Sequence, residues 1–388
     1  MLGPGGRMTG IARVKLHLPH LHCAMGCDWE DVWGGLGSPT VPGLAPWPDE
    51  LMSASAHIAG EPELSPYGVD RKLVRTMEKQ ARMALAGAGR LLDAWHPGAG
   101  SVAERAETGL FMGLPTIDEP LPGLAVLESW HAYGGRDDWN ATLMRETPPF
   151  SGLSLLNSSA CAHIAATFGL NGPIAAYSPF ADAGLSALID GVHAVAEAEC
   201  RHAVIGAVST KLDPLQPLQH AYWGSGGAER QRLPGEASAF LLASADAARN
   251  DAVLLGYARG CHSTHDDRGD TVSDLIGQTL EMGGYARTSV GWVLSNQPWQ
   301  AAHKESLSRA LFAFAPLHLP IETRFGYVGP AAATLGVGLV LEGMRRKRRW
   351  LTQGTRWEAL PMDAPCSLLV MHSPMGQVAV ALIGRAGL

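Results

Sequence analysis

Residues 157–210 read NSSACAHIAATFGLNGPIAAYSPFADAGLSALIDGVHAVAEAECRHAVIGAVST, and this stretch decides the fold. An Asn/Ser start and a Gly-Pro stop bracket a helix over 157–173, and a short strand, IAAYSPF, follows. Apolar residues at Leu185, Leu188, Ile189, Val192 and Val195 give the next segment, 181–200, helical spacing. HAVIGAVST, at 202–210, is an apolar run of strand length, the pattern of a strand covered on both faces. Helix–strand–helix–strand alternation at this density predicts an α/β protein with helices on both sides of a sheet.

Outward from this block the same style continues. Residues 9–18 read as a first strand broken by Pro19, and 70–95 as one long helix with Val74, Met77, Ala81, Ala84, Leu85, Ala88 and Leu92 on its apolar stripe. ETGLFMGLP, at 107–115, reads as a buried strand. In the second half come a strand at 252–260 (AVLLGYARG), a helix near 272–283, the strand GWVLSN, a helix at 301–313 and a Gly/Ala-rich helix at 329–346. No literal repeat is visible. The composition shift over 244–252 (SADAARNDA) predicts two halves, 1–250 and 251–388. The stretch 115–150, rich in Pro, Gly and Trp, reads as a lid or interface segment.

Composition narrows the class. The chain has 388 residues, 46% hydrophobic and 17% charged, a balance that excludes general disorder and suits a large core. A net charge of −7 argues against a general nucleic-acid binder. Six cysteines over this length make no disulfide framework, so a reducing cytoplasm is expected. The longest apolar runs, LGVGLVLEGM near 335 and VAVALIG near 378, fall short of the ~18 residues a membrane span needs. The N-terminal MLGPGGRMTG lacks the apolar core of a signal peptide. His17, His20, His22, Cys23 and Cys27 crowd one segment without finger spacing, and HSTHDD at 262–267 reads as a polar loop, so no metal and no cofactor is expected. The Gly-rich run 223–236 lacks the Gly-Lys-Ser/Thr of a phosphate loop and also reads as a loop.

The block 157–210 resembles the β-ketoacyl synthases, condensing enzymes of the thiolase fold. In that family an Asn-starting helix ends in an FGL-x-GP turn, and a strand then leads to an elbow carrying a nucleophilic Cys before a long helix. The resemblance continues through RLPGEASAFLLA at 232–243 and RFGYVGPAAATLGV at 324–337. It implies a five-layered αβαβα fold of two pseudo-duplicated halves. The departures are specific. At the nucleophile position stands Ala181, and a methyl group cannot hold an acyl chain as a thioester. The family's first histidine corresponds to Asn296, its second to Tyr327, and the Lys before the second to Glu322. An amide and a phenol donate hydrogen bonds but cannot replace an imidazole pair. The gating loop, Gly-rich in the family, reads His372-Ser373-Pro374-Met375-Gly376-Gln377, with a proline that stiffens it.

What the resemblance implies is therefore a chain-length factor, or ketosynthase β-subunit: a catalytically inactive copy that pairs with an active ketosynthase and walls the acyl tunnel in polyketide, polyene or fatty-acid-type synthesis. Trp130, Tyr133, Trp139, Phe150 and Phe180 are the candidate tunnel or interface residues. Ser373, Pro374, Met375 and Gly376 form the altered gate. The basic run Arg345, Arg346, Lys347, Arg348 and Arg349 either answers a helix C-terminal dipole or docks an acidic acyl carrier protein. Two other readings stay open. One is an enzyme with relocated chemistry at Ser178, Cys161, Asp182 or His303, the last expected to face outward. The other is a homodimeric acyl-binding protein.

Overall fold

In a computed structural model the chain is described over residues 11, 14–38, 40, 43–46, 55–95, 102–115, 128–132, 138–147, 156–210, 233–245, 252–262, 270–353 and 356–385. The strands are β1 (Lys15–Leu16), β2 (His20–Cys23), β3 (Leu44–Pro46), β4 (Ser55–His57), β5 (Thr108–Gly113), β6 (Ile174–Tyr177), β7 (His202–Thr210), β8 (Glu236–Ser244), β9 (Ala252–Cys261), β10 (Val290–Ser295), β11 (His318–Pro320), β12 (Arg348–Gln353), β13 (Arg356–Pro361), β14 (Cys366–His372) and β15 (Gln377–Arg385). The main helices are α1 (Trp29–Leu36), α2 (Lys79–Trp95), α3 (Ser159–Phe168), α4 (Ala181–Ala196), α5 (Asp270–Gly283), α6 (Ala301–Ala310) and α7 (Ala331–Arg346).

Hydrogen bonding links the strands in the order β11-β10-β14-β15-β9-β1-β8-β7-β5-β6, with β2 also on β8. The path divides into two halves of the same design. In the first, β5 runs parallel to β6 and β7, and β8 lies antiparallel to β7. In the second, β10 runs parallel to β11 and β14, and β15 lies antiparallel to β14. The helices match: α3, between β5 and β6, corresponds to α6, between β10 and β11, and α4 corresponds to α7. β1 pairs with both β8 and β9 and joins the halves.

Strand periodicity explains the layering. On β7, Ala203, Ile205 and Ala207 face a core shared with α4 and α7, whereas Val204 and Val208 face α2 and α3. On β14, Leu369 and Met371 face the shared core, and Leu368 and Val370 face α5 and α6. Two outer cores and a middle one that encloses α4 and α7 thus hold together five layers, in the order helices, sheet, helices, sheet, helices. The predicted fold class stands. All nine residues of β7 are buried, as are all nine of β8, which is why those segments carry almost no charge.

Two local expectations are corrected. Among the described residues of 9–18 the strand is Lys15–Leu16, Ile11 is helical, and β2 starts after Pro19. The single helix over 70–95 is two, Arg71–Val74 and α2. Between them the Thr76 hydroxyl donates to the Leu73 carbonyl at 2.8 Å, and the Arg82 guanidinium takes the Met77 carbonyl at 2.6 Å. Side chains there compete for the carbonyls that a continuous helix would use. The N-terminal His/Cys segment is β2 and its turn, with the His17 imidazole against the Ser244 hydroxyl at 3.2 Å. Among the described residues no group of His, Cys, Asp and Glu could hold a metal ion, and no helix is long and apolar enough to cross a membrane. Residues 263–267 and 223–232 lie outside the described residues.

Candidate functional site

The elbow is built by packing. β6 ends at Tyr177, a cis Ser178–Pro179 peptide turns the chain, and α4 starts at Ala181 behind an extended Phe180 (φ −114°, ψ −171°). Ala181 is 1% exposed. One turn on, a Cβ at Gly184 would lie 2.1 Å from the Pro330 carbonyl oxygen, so α4 and the start of α7 meet backbone to backbone. This presses the elbow against the segment carrying Tyr327. Ala181, which the sequence resemblance sets at the nucleophile position, stands at the first residue of α4 as a buried methyl group.

Asn296 sits just past β10 and is 1% exposed. Its amide Nδ2 donates to the His372 carbonyl at 2.9 Å, and its Oδ1 accepts from the His372 N–H at 2.7 Å. Both polar atoms are spent on the backbone at the mouth of the gate. The gate itself is a tight turn between β14 and β15. The Gly376 N–H donates to the Ser373 carbonyl at 3.1 Å, and Gly376 has φ +93°. Gln300 donates to the Pro374 carbonyl at 3.0 Å, and the His262 N–H donates to the Gly376 carbonyl at 2.8 Å. Asn296, Gln300 and His262 therefore hold the turn at three points. Of its residues, Ser373 is buried and Met375 is 54% exposed.

Tyr327 is 2% exposed and strand-paired through its backbone, its N–H donating to the Leu233 carbonyl at 2.8 Å and its carbonyl accepting from the Gly235 N–H at 3.0 Å. Its ring meets Trp299 edge-on with centroids 5.1 Å apart. Trp299 in turn meets Phe180 at 6.3 Å. One indole thus bridges the elbow and the Tyr327 segment, a geometry favourable to aromatic pairs. Phe180, expected at a tunnel wall, belongs to this trio. Trp299 was not foreseen; the available signal was a large aromatic three residues after Asn296, in the loop before α6.

The substitute-chemistry candidates separate clearly. Cys161 is buried, its Sγ is 3.6 Å from the Met112 sulfur, and burial pushes its thiol up to about 12, so it packs rather than reacts. Ser178 accepts a hydrogen bond from Asn157 Nδ2 at 3.3 Å. Asp182, in the first turn of α4, has its carboxyl pushed up to about 6 by burial, against opposing backbone N–H groups at its own position and Ala183. His303 does not face outward: it is 3% exposed and stacks on His262, with centroids 4.5 Å apart. His262 also stacks near His372 at 5.9 Å. Burial first, then the two neighbouring imidazoles, push His372 down to about 3. These rings come from the residue after β9, from α6 and from the end of β14, a convergence that no local pattern announces.

Of the remaining candidates, Trp130 and Trp139 form an edge-on pair at 5.8 Å, with Trp139 39% exposed. Tyr133 and Phe150 lie outside the described residues. The basic run is divided in its use. Arg345 and Arg346 both bind Glu342, whose side chain is fully buried, and Arg346 also reaches Glu30. Burial raises the Glu342 carboxyl, but the two arginines outweigh it and hold it below the usual carboxylate range. Arg349 donates to the Gly291 carbonyl at 2.6 Å. Arg345, Lys347 and Arg348 are the exposed members.

This architecture is the thiolase-like fold of the condensing enzymes. Residues 59–240 match the family model described as β-ketoacyl synthase, N-terminal domain. Compared with curated protein sequences, the chain has no match. Among solved structures it is similar to a β-ketoacyl synthase from Burkholderia phymatum, with a TM-score of 0.77 at 16% identity, covering 97% of this chain and 100% of that one. It is similar to the ishigamide ketosynthase/chain length factor, with a TM-score of 0.72 at 18% identity, covering 96% and 99%. A ketosynthase domain of the oxazolomycin system of a Streptomyces albus strain gives 0.74 at 17% identity, covering 96% and 75%.

Proposed function

We infer that this chain is a non-catalytic ketosynthase-like subunit of the chain-length-factor type, which pairs with an active β-ketoacyl-acyl carrier protein synthase and helps shape its acyl tunnel. The carrying observation is the fate of the three positions that match the family triad. Ala181 is a buried methyl group, Asn296 is engaged at both polar atoms with the His372 backbone, and Tyr327 is buried under Trp299. The scaffold is kept while each reactive position serves packing or tethering.

The edge of the first half supports a pairing role. Among the described residues β6 hydrogen-bonds only to β5, and Ile174 on it is 50% exposed. Leu156, next to the Asn157 that bonds the end of β6, is 53% exposed. An apolar edge strand suits antiparallel continuation by a similar subunit. The exposed Arg345, Lys347 and Arg348 are the part of the basic run offered to an acidic carrier protein, and the Trp130–Trp139 pair is the wall candidate. The two-half division at 250/251 is part of the same proposal.

The test is co-expression with a partner ketosynthase, followed by mass determination of the purified species. A one-to-one complex is expected, lost in Ile174→Arg. A stable homodimer that ignores the ketosynthase overturns the reading. A second reading, an enzyme with moved chemistry, is favoured by one observation, the Asp182 carboxyl held at about 6 beside the elbow. Intact-mass analysis of the isolated chain after exposure to malonyl- and acyl-carrier protein decides between them, since a stoichiometric adduct belongs only to the second.

A further inference from the structure

The three segments that define the site are the elbow, the loop after β10 and the loop before α7. Each contributes one ring: Phe180, Trp299 and Tyr327. The indole of Trp299 lies 6.3 Å from the Phe180 ring at an interplanar angle of 66°, and 5.1 Å from the Tyr327 ring at 74°. Trp299 is 6% exposed, Tyr327 2% and Ala181 1%. Edge-on contacts on two sides leave an indole little freedom to swing, because either rotation drives it into a neighbouring ring. The backbone behind it is fixed as well. Gln300, the next residue, donates to the gate at Pro374, and Asn296 is bonded at both ends to His372. A hinge in this loop would have to break three buried or half-buried hydrogen bonds.

We propose that Trp299 is an occlusion residue. Together with Phe180 and Tyr327 it fills the space at the elbow, so this subunit excludes acyl chains from its own site. This deepens the partner-subunit reading and rests on it for its purpose: a subunit that cannot seat an acyl chain leaves loading entirely to the active partner. The chemical class excluded is an acyl group, free or thioester-borne, whose carbons nearest the elbow need the volume the indole occupies. Replacing the indole by a methyl group opens an apolar void of the order of 150 Å³, the kind that stays dry and accepts apolar guests.

The experiment uses the isolated full-length chain and the fluorescent fatty acid cis-parinaric acid, so its outcome is independent of any partner ketosynthase. Trp299→Ala should gain saturable binding at least about tenfold tighter than wild type, whereas Trp299→Phe, which keeps a ring, should behave like wild type. Binding of equal strength in wild type and Trp299→Ala overturns the proposal. A second measurement covers the case in which the alanine variant does not fold. A diazirine-bearing fatty acid photolysed with the wild-type chain should leave peptides spanning 178–184 and 296–300 unlabelled. Label on either peptide overturns the proposal. Failure here leaves the one-to-one complex test untouched, and failure of that test leaves the occlusion result standing.

Discussion

Replacing Asn296 by alanine tests whether this buried amide holds the turn between β14 and β15 in place. The substitution removes a donor 2.9 Å from the His372 carbonyl and an acceptor 2.7 Å from its N–H. Asn296 and His372 are each 1% exposed, so water does not readily replace either partner. A buried backbone group left without a partner costs about 1–3 kcal/mol, which gives about 2–6 kcal/mol for the pair. The unfolding entropy of a chain of 388 residues is about 0.8 kcal/mol per kelvin. The expected fall in melting temperature is therefore about 3–7 °C. Differential scanning calorimetry reads it, and amide hydrogen exchange over 372–376 should accelerate well beyond the exchange of β7. Asn296→Leu, which keeps the volume, should fall comparably, separating the hydrogen bonds from the cavity. A melting temperature and gate exchange both unchanged in Asn296→Ala would refute the tether.

Ala181→Cys places a thiol at the buried elbow, next to the Phe180 that Trp299 meets, with Asn296 and Tyr327 still in place, so incubation with acyl-carrier protein should yield no more acyl adduct than wild type, read by intact mass. Lys79→Met strands Glu236, a 2%-exposed carboxylate that the ammonium meets at 2.6 Å, and should cost about 3–5 kcal/mol in urea unfolding; a loss below about 1 kcal/mol contradicts the pairing. For His372, the folded value of about 3 lies below the ordinary 6.5, so the unfolded chain takes up a proton first as pH falls. Its contribution is fully present above 6.5 and is lost progressively towards about 3. His372→Gln should flatten the decline of melting temperature over that window, and a decline as steep as in wild type sinks the assignment.

Legibility followed the range of the forces. The bounds of β7 could be read directly because every one of its side chains is buried and the sequence carries nine residues to match. The elbow was legible because its position depends on a local order of strand, turn and helix. The split at residues 75–78 was not, since apolar spacing runs on through Met77 while the break is made by Thr76 and Arg82 hydrogen bonds to carbonyls. His303 was read as outward from its place on the helix after the loop, seven residues past Asn296; its burial against His262, just past β9, is a contact between residues distant in sequence. Trp299 belongs to the same class. Its partners, Phe180 and Tyr327, are remote in sequence, and only the folded chain brings the rings together. The departures at 181, 296 and 327 could be read from the resemblance; the contacts that Asn296 and Tyr327 make could not.

The close approach of α4 to Pro330 has a consequence for how such a protein persists. That contact is made backbone to backbone by Gly184 and Pro330, with core layers on both sides of the helix, and not by the side chain at 181. Selection on fold and selection on reactivity are therefore uncoupled at this position. The side chain at 181 can change its chemistry while the backbone contact that sets the turn is kept, which leaves reactivity and surface free to vary separately.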